Sequence, residues 1–160
     1  MTRTIAMGIF VSTVLCLQGA GLVYGTTQPP EDVLRMLFKD HQPPLQRRIS
    51  FTDKKQMERY FTPELIGLFL KDADCVKRTH EVCGLEGDPI YDSQDSGDEE
   101  IPVTIAPHSP LPHPSFEVTF VDLGRKETLI YELLKTKKGW RVSNIVYPDG
   151  GTLKKILGQP

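Results

Sequence analysis

Between Glu31 and Asp40 the apolar residues Val33, Leu34, Leu37 and Phe38 recur three and four positions apart, the spacing of a helix that buries one face. Glu31 and Asp32 fall in its first turn, where the helix dipole favours acids, and His41 to Pro44 stops it. Ser50 with Asp53 three residues on resembles a capping box. It predicts a second helix through about Tyr60, with Met57, Tyr60 and Phe61 as its buried side. Thr62 as cap and Pro63 in the first helical position open a third helix to about Cys75. Phe61 and Ile66 are spaced as a hydrophobic staple, and Leu65, Ile66, Phe69 and Leu70 continue the apolar stripe.

The period then changes. Residues 88 to 100, DPIYDSQDSGDEE, and 106 to 114, APHSPLPHP, predict irregular, exposed chain, and prolines 107, 110, 112 and 114 exclude a regular helix there. Beyond them Phe116, Val118 and Phe120 alternate with Glu117 and Thr119 in a strand from Phe116 to Leu123. A turn at Gly124 to Lys126 leads into a strand from Thr128 to Lys135 with Leu129, Tyr131 and Leu133 on one face. Lys137-Lys138-Gly139 then turns into Trp140 to Val146, where Trp140, Val142, Asn144 and Val146 share a face. These three strands predict an antiparallel meander. Asp149-Gly150-Gly151 ends it, and Thr152 to Leu157 has the length of one or two helical turns. The expected class is α+β, with N-terminal helices on a curved antiparallel sheet.

Residues 1 to 25 read as an export signal: Arg3 supplies the positive start, Ile5 to Leu17 the apolar run, and Val23-Tyr24-Gly25 the small-residue cleavage pattern. The expected mature chain is a single domain, residues 26 to 160, beginning at Thr26 and located in the periplasm or secreted. Membrane contact is expected only through the signal segment. Leu15 before Cys16 disfavours lipid attachment there. Arg3 is the only charged residue lost with that segment, so the formal net charge falls from −2 to −3. The basic clusters Arg47-Arg48, Lys77-Arg78 and Lys135 to Lys138 are short and lack interleaved aromatics, so solvated surface is expected and nucleic acid is not. Without Cys16, Cys75 and Cys83 are the only pair, which in an oxidising compartment predicts a disulfide tying the following loop to the third helix.

Three helices, an irregular loop and a meander resemble the cone-shaped nuclear transport factor 2-like fold. Asp88-Pro89-Ile90-Tyr91-Asp92-Ser93-Gln94-Asp95, Gly139-Trp140-Arg141-Val142 and Gly150-Gly151-Thr152-Leu153 resemble, more narrowly, a bacterial domain family of unknown function found in envelope proteins. The resemblance spans roughly residues 31 to 158 and does not include the cysteine pair. It implies a pocket at the mouth of the cone, bordered by the acidic loop. Similar cones host isomerases, hydrolases, binding proteins and dimerising modules, so function rests on the site.

Asp88, Asp92 and Asp95 offer a carboxylate pair that could serve as general acid and base in a hydrolase or isomerase. The competing reading has Asp88 and Asp92 fixing turns through backbone hydrogen bonds, with Asp98, Glu99 and Glu100 solvated. The acids do not match a calcium loop. His41, His80, His108 and His113 form no metal-binding pair, no serine lies in GxSxG, and no glycine-rich phosphate loop occurs, so no cofactor is expected. Trp140, Tyr131 and Tyr147 are the aromatics placed to shape a pocket, with core packing the better assignment for Trp140. The favoured reading is a non-catalytic binding or protein-interaction module, able to oligomerise. Its partner would be an envelope protein, including an exported effector that it restrains, or a small apolar ligand. Asp88, Tyr91, Asp92, Gln94, Asp95 and Trp140 are the expected contacts, with Tyr91 and Gln94 pointing inward at the cavity rim.

Overall fold

A computed structural model describes residues 28–43, 48–94, 99–109 and 113–158. The expected export signal, Thr26, Cys16, Asp95 and Asp98 lie outside the described residues. The fold is α+β: α1 (Glu31–Asp40), α2 (Lys54–Met57) and α3 (Pro63–Thr79) precede β1 (Val103–Ser109), β2 (Ser115–Asp122), β3 (Arg125–Thr136) and β4 (Gly139–Val146), and α4 (Leu153–Leu157) follows. The four strands form one antiparallel sheet in chain order. No helix among the described residues is long and apolar enough to cross a membrane.

The helix starts follow local chemistry. Thr62 accepts from the Leu65 N–H, and Thr152 from that of Lys155. At α2 the cap is Asp53, not Ser50: Asp53 accepts from the Lys55 and Gln56 N–H groups, and the helix is a single turn. Met57, Tyr60 and Phe61 are buried as expected. α3 runs one turn past Cys75 and ends where His80 takes a left-handed conformation and donates its N–H to the Val76 carbonyl.

The meander contains the three expected strands and one more. β1 pairs with β2 over a segment expected to be irregular, with Pro107 opposite Phe116. An edge strand uses one side of its backbone for pairing, so a proline that lacks an N–H is tolerated there and discourages further pairing. The opposite edge, β4, is covered by the chain before α3: the Thr62 N–H donates to the Val142 carbonyl at 2.9 Å, and the Val142 N–H to that of Tyr60 at 2.7 Å. Within β4, Leu133 faces Val142 while Glu132 faces Asn144, leaving Ser143 as an extra residue in the ladder. This bulge switches the faces. Ile145 rather than Val146 is fully buried, and Asn144 joins the sheet to α4 by accepting from the Lys154 N–H.

α1 lies over the sheet, packing on the outer strands β1 and β4, while α3 packs on α2, β4 and α4. Val33, Leu34, Leu37 and Phe38 of α1 meet Val118, Phe120, Leu129 and Tyr131 of the sheet in one buried core. Phe38 contacts Tyr91 and Tyr131 edge-on at 5.7 and 5.4 Å, so side chains fill the space between α1 and the sheet. Burying each such side chain contributes roughly 1.5–3 kcal/mol.

Candidate functional site

The acidic loop is wedged into the core. Pro89, Ile90 and Tyr91 are buried, which corrects the expectation of exposed chain at this end of the segment; Glu99 and Glu100 are exposed. The Asp88 N–H donates to the Ser93 carbonyl at 2.7 Å, and the Ser93 N–H returns to Asp88 at 3.3 Å, closing a loop over Pro89 to Asp92. Gly87 is required beside this closure, because a Cβ there would lie 2.6 Å from the Ser93 carbonyl oxygen. Asp92 turns the corner with φ 51°, in the left-handed region that Asp tolerates better than most residues.

Three tyrosine hydroxyls hold the loop in place. Tyr131 donates to the Ile90 carbonyl at 2.7 Å, Tyr147 to that of Pro89 at 3.2 Å, and Tyr91 to that of His41 at 3.0 Å. Burial pushes all three hydroxyls above their ordinary value near 10, so they remain protonated donors. Tyr91 does point inward, but into the core against Phe38, His41 and Phe120, and it forms no part of a rim. Tyr131 and Tyr147 therefore position the loop.

Asp88 is the electrostatic centre of this clamp. Its Oδ2 accepts from His41 Nε2 at 2.9 Å and from Arg48 Nη1 at 2.9 Å, and its Oδ1 accepts from the Ile90 N–H at 2.9 Å. His41 Nδ1 accepts from the Ile49 N–H at 3.0 Å, which places the ring proton on Nε2, facing Asp88. With side chains only 1% exposed for His41, 7% for Asp88 and 11% for Arg48, the three groups form a buried cluster. The expectation of solvated surface at Arg48 is thus corrected; Arg47 lies outside the described residues. Both ring nitrogens of His41 are engaged, so it offers no free base. The Asp88 carboxylate is spent on structure, as the turn-forming reading of that residue requires.

A cavity of about 750 Å³, open to solvent, adjoins the loop, with Gly84 to Asp88 on one side and Asp92 to Gln94, Arg125 and Tyr147 on others. Asp92 and Gln94 are exposed and line its rim. Asp92 is held above the ordinary carboxylate value, first by partial desolvation and then by Asp149 and Glu127. Ser93 Oγ is buried beside the cavity with no hydrogen-bond partner among the described residues. The upstream wall is pinned twice. Cys75 and Cys83 are joined as a disulfide with Cα atoms 6.2 Å apart, and the Gly84 N–H donates to Asp72 Oδ1 at 2.7 Å.

Trp140 is not brought to this site. It opens β4, half-buried, with Lys135 Nζ 5.0 Å from the ring centroid. At the rise of a strand it stands about 20 Å from Tyr147, just past the far end of β4. His80, His108 and His113 are exposed, and no three His, Cys, Asp or Glu residues among those described are grouped to hold a metal. His41 and Arg48 were missed as partners of Asp88 because their side chains meet it across 47 and 40 residues of chain, and no local motif records such a contact. A signal for the buried loop did exist: Pro89-Ile90-Tyr91 is an apolar triplet between acids. No protein-family model, curated protein or solved structure matches the chain.

Proposed function

We propose that this protein is a small exported envelope protein, built as a cone of the nuclear transport factor 2-like kind, that acts as a non-catalytic binding module. The observation that carries this reading is the division of labour in the acidic loop. Asp88 is consumed by His41, Arg48 and the Ile90 N–H, while its neighbours Asp92 and Gln94 stand exposed on a rigid edge of an open cavity. A preorganised edge loses little entropy on binding, and recognition gains from that. A disulfide suits an oxidising compartment, which supports export to the periplasm or beyond.

The occupant this surface suits best is a segment of an envelope protein that presents a cation, because the exposed acids Glu86 and Asp92 outnumber the one lining cation, Arg125, and Gln94 both donates and accepts. An apolar ligand inside the cone has less support, since Phe38, Tyr91, Phe120 and Tyr131 occupy that space. The test is to replace Asp92→Asn with Gln94→Ala and retain partners from envelope extract. Loss of a wild-type partner at an unchanged urea midpoint supports the rim as the binding surface; equal retention of that partner refutes it.

A hydrolase or isomerase is the alternative, favoured by one observation, the raised pKa of Asp92 beside a cavity. General acid–base work needs a second free group, and Asp88 is not free. Turnover abolished by Asp92→Asn without loss of stability would establish that alternative.

A further inference from the structure

A second concavity lies between the start of α3 and the turn joining β3 to β4, and it shares no lining residue with the cavity beside Asp88. Pro63 and half-buried Leu70 supply apolar walls over the nearly buried Phe61 and Ile66, and the volume is about 450 Å³. Gly67 leaves the groove open: a Cβ at that position would meet nothing within 4 Å. Four cations, Lys54, Lys137, Lys138 and Arg141, surround the groove against the single carboxylate of Glu58. This is a local reversal of sign, since the whole chain carries a formal charge of −2.

The one acid is already committed. Glu58 accepts from Lys138 Nζ at 2.9 Å, an interaction that lowers its pKa. Lys54 and Lys137 make no ion pair among the described residues. Arg141 is anchored by donating from Nε to the Glu58 carbonyl at 2.9 Å and from Nη1 to that of Trp140 at 2.7 Å, while Nη2 makes no hydrogen bond among the described residues. Partial burial disfavours the charged form of that guanidinium, which a carboxylate close by would offset.

An apolar floor beneath an excess of cations is the chemistry of a ligand with a hydrocarbon body and one acidic end. We propose that this groove binds a small single-chain anionic amphiphile, a medium-chain alkyl carboxylate in its simplest form. The volume falls within the range of small-molecule sites, roughly 300–1,000 Å³, and a protein partner would ordinarily need a wider face of about 800 Å². The alkyl chain lies along Pro63 and Leu70, over the nearly buried Phe61 and Ile66, and the carboxylate sits among Lys54, Lys137 and Arg141. The inference stands apart from the cavity beside Asp88, and neither reading falls with the other.

Calorimetric titration with decanoate, below its micelle concentration, tests it. The expected result is one site per chain. Dodecanoate should bind roughly fifteenfold tighter, about fourfold for each added methylene, and decyltrimethylammonium at least about tenfold weaker, from the sign of the rim. Gly67→Leu fills the groove with a residue of better helix propensity, so binding should vanish while the fold remains. Lys54→Glu with Lys137→Glu changes only exposed positions and should weaken decanoate at least about tenfold. No binding of decanoate, equal binding of the cationic amphiphile, or decanoate binding unchanged in both variants overturns the proposal. An acidic apolar peptide that binds where decanoate does not also overturns it, and assigns the groove to a protein partner.

Discussion

Replacing Asp88 with alanine removes the acceptor of three hydrogen bonds inside a cluster that is nearly closed to water. Arg48 and His41 lose the carboxylate to which both donate, and the Ile90 N–H loses its turn partner. Breaking a buried, hydrogen-bonded ion pair from one side costs about 3–5 kcal/mol. Asp88→Asn keeps the volume and one acceptor oxygen, but its NH2 faces either the Ile90 N–H or the His41 and Arg48 donors, so its cost should be about 1.5–3 kcal/mol. With a urea dependence of about 1.5 kcal/mol per molar, the alanine variant should lower the unfolding midpoint by about 2–3 M and the asparagine variant by about 1–2 M. Trp140, the only tryptophan, reports the transition by fluorescence, and far-UV circular dichroism checks that both probes coincide. An Asp88→Ala midpoint within about 0.5 M of wild type would refute the structural role. A catalytic carboxylate would behave in the opposite way, because its removal abolishes turnover and leaves the fold intact.

Replacing both Cys75 and Cys83 with serine should lower stability by about 2.5 kcal/mol on the loop-entropy estimate, with the fold retained. Amide exchange should speed up in residues 80–87 ahead of the core strands, and uniform acceleration would contradict a local brace. Tyr91, Tyr131 and Tyr147 have raised folded-state values, so each hydroxyl ionises first in the unfolded chain. Stability is therefore complete below the ordinary tyrosine value near 10 and falls as pH rises above it, by up to about 1.4 kcal/mol per pH unit for each group. Urea midpoints that stay flat between about pH 8 and 11 would contradict the clamp. Gly87→Ala should destabilise measurably in the same assay, since its Cβ would meet the Ser93 carbonyl at 2.6 Å and backbone must move.

Local signals carried most of the fold. The period-four stripe of α1, the Thr62-Pro63 start of α3 and the alternation in β2 and β3 each depend on near neighbours, and each element forms where its pattern lies. The misses involve distance. Val103-Thr104-Ile105-Ala106 carries strand alternation, but it was obscured by the prolines that follow, and an edge strand accommodates Pro107. The Ser143 bulge depends on its pairing with β3, so the sequence of β4 alone placed Val146 inside instead of Ile145.

At the site the composition of the acidic loop concealed its role. Asp88 and Asp92 look alike in sequence, yet one is buried against His41 and Arg48 while the other is exposed in a left-handed corner. Tertiary contacts made that distinction, and so separated a clamp from a rim.

Site-specific photo-crosslinking from residue 94 in envelope extract tests the binding surface most directly, with an equivalent crosslinker at exposed Glu117 on β2 as the control. A discrete adduct from position 94, absent from position 117 and lost when Asp92→Asn is added, is the result this account predicts. Adducts that are equal from both positions, or none from position 94, would contradict it.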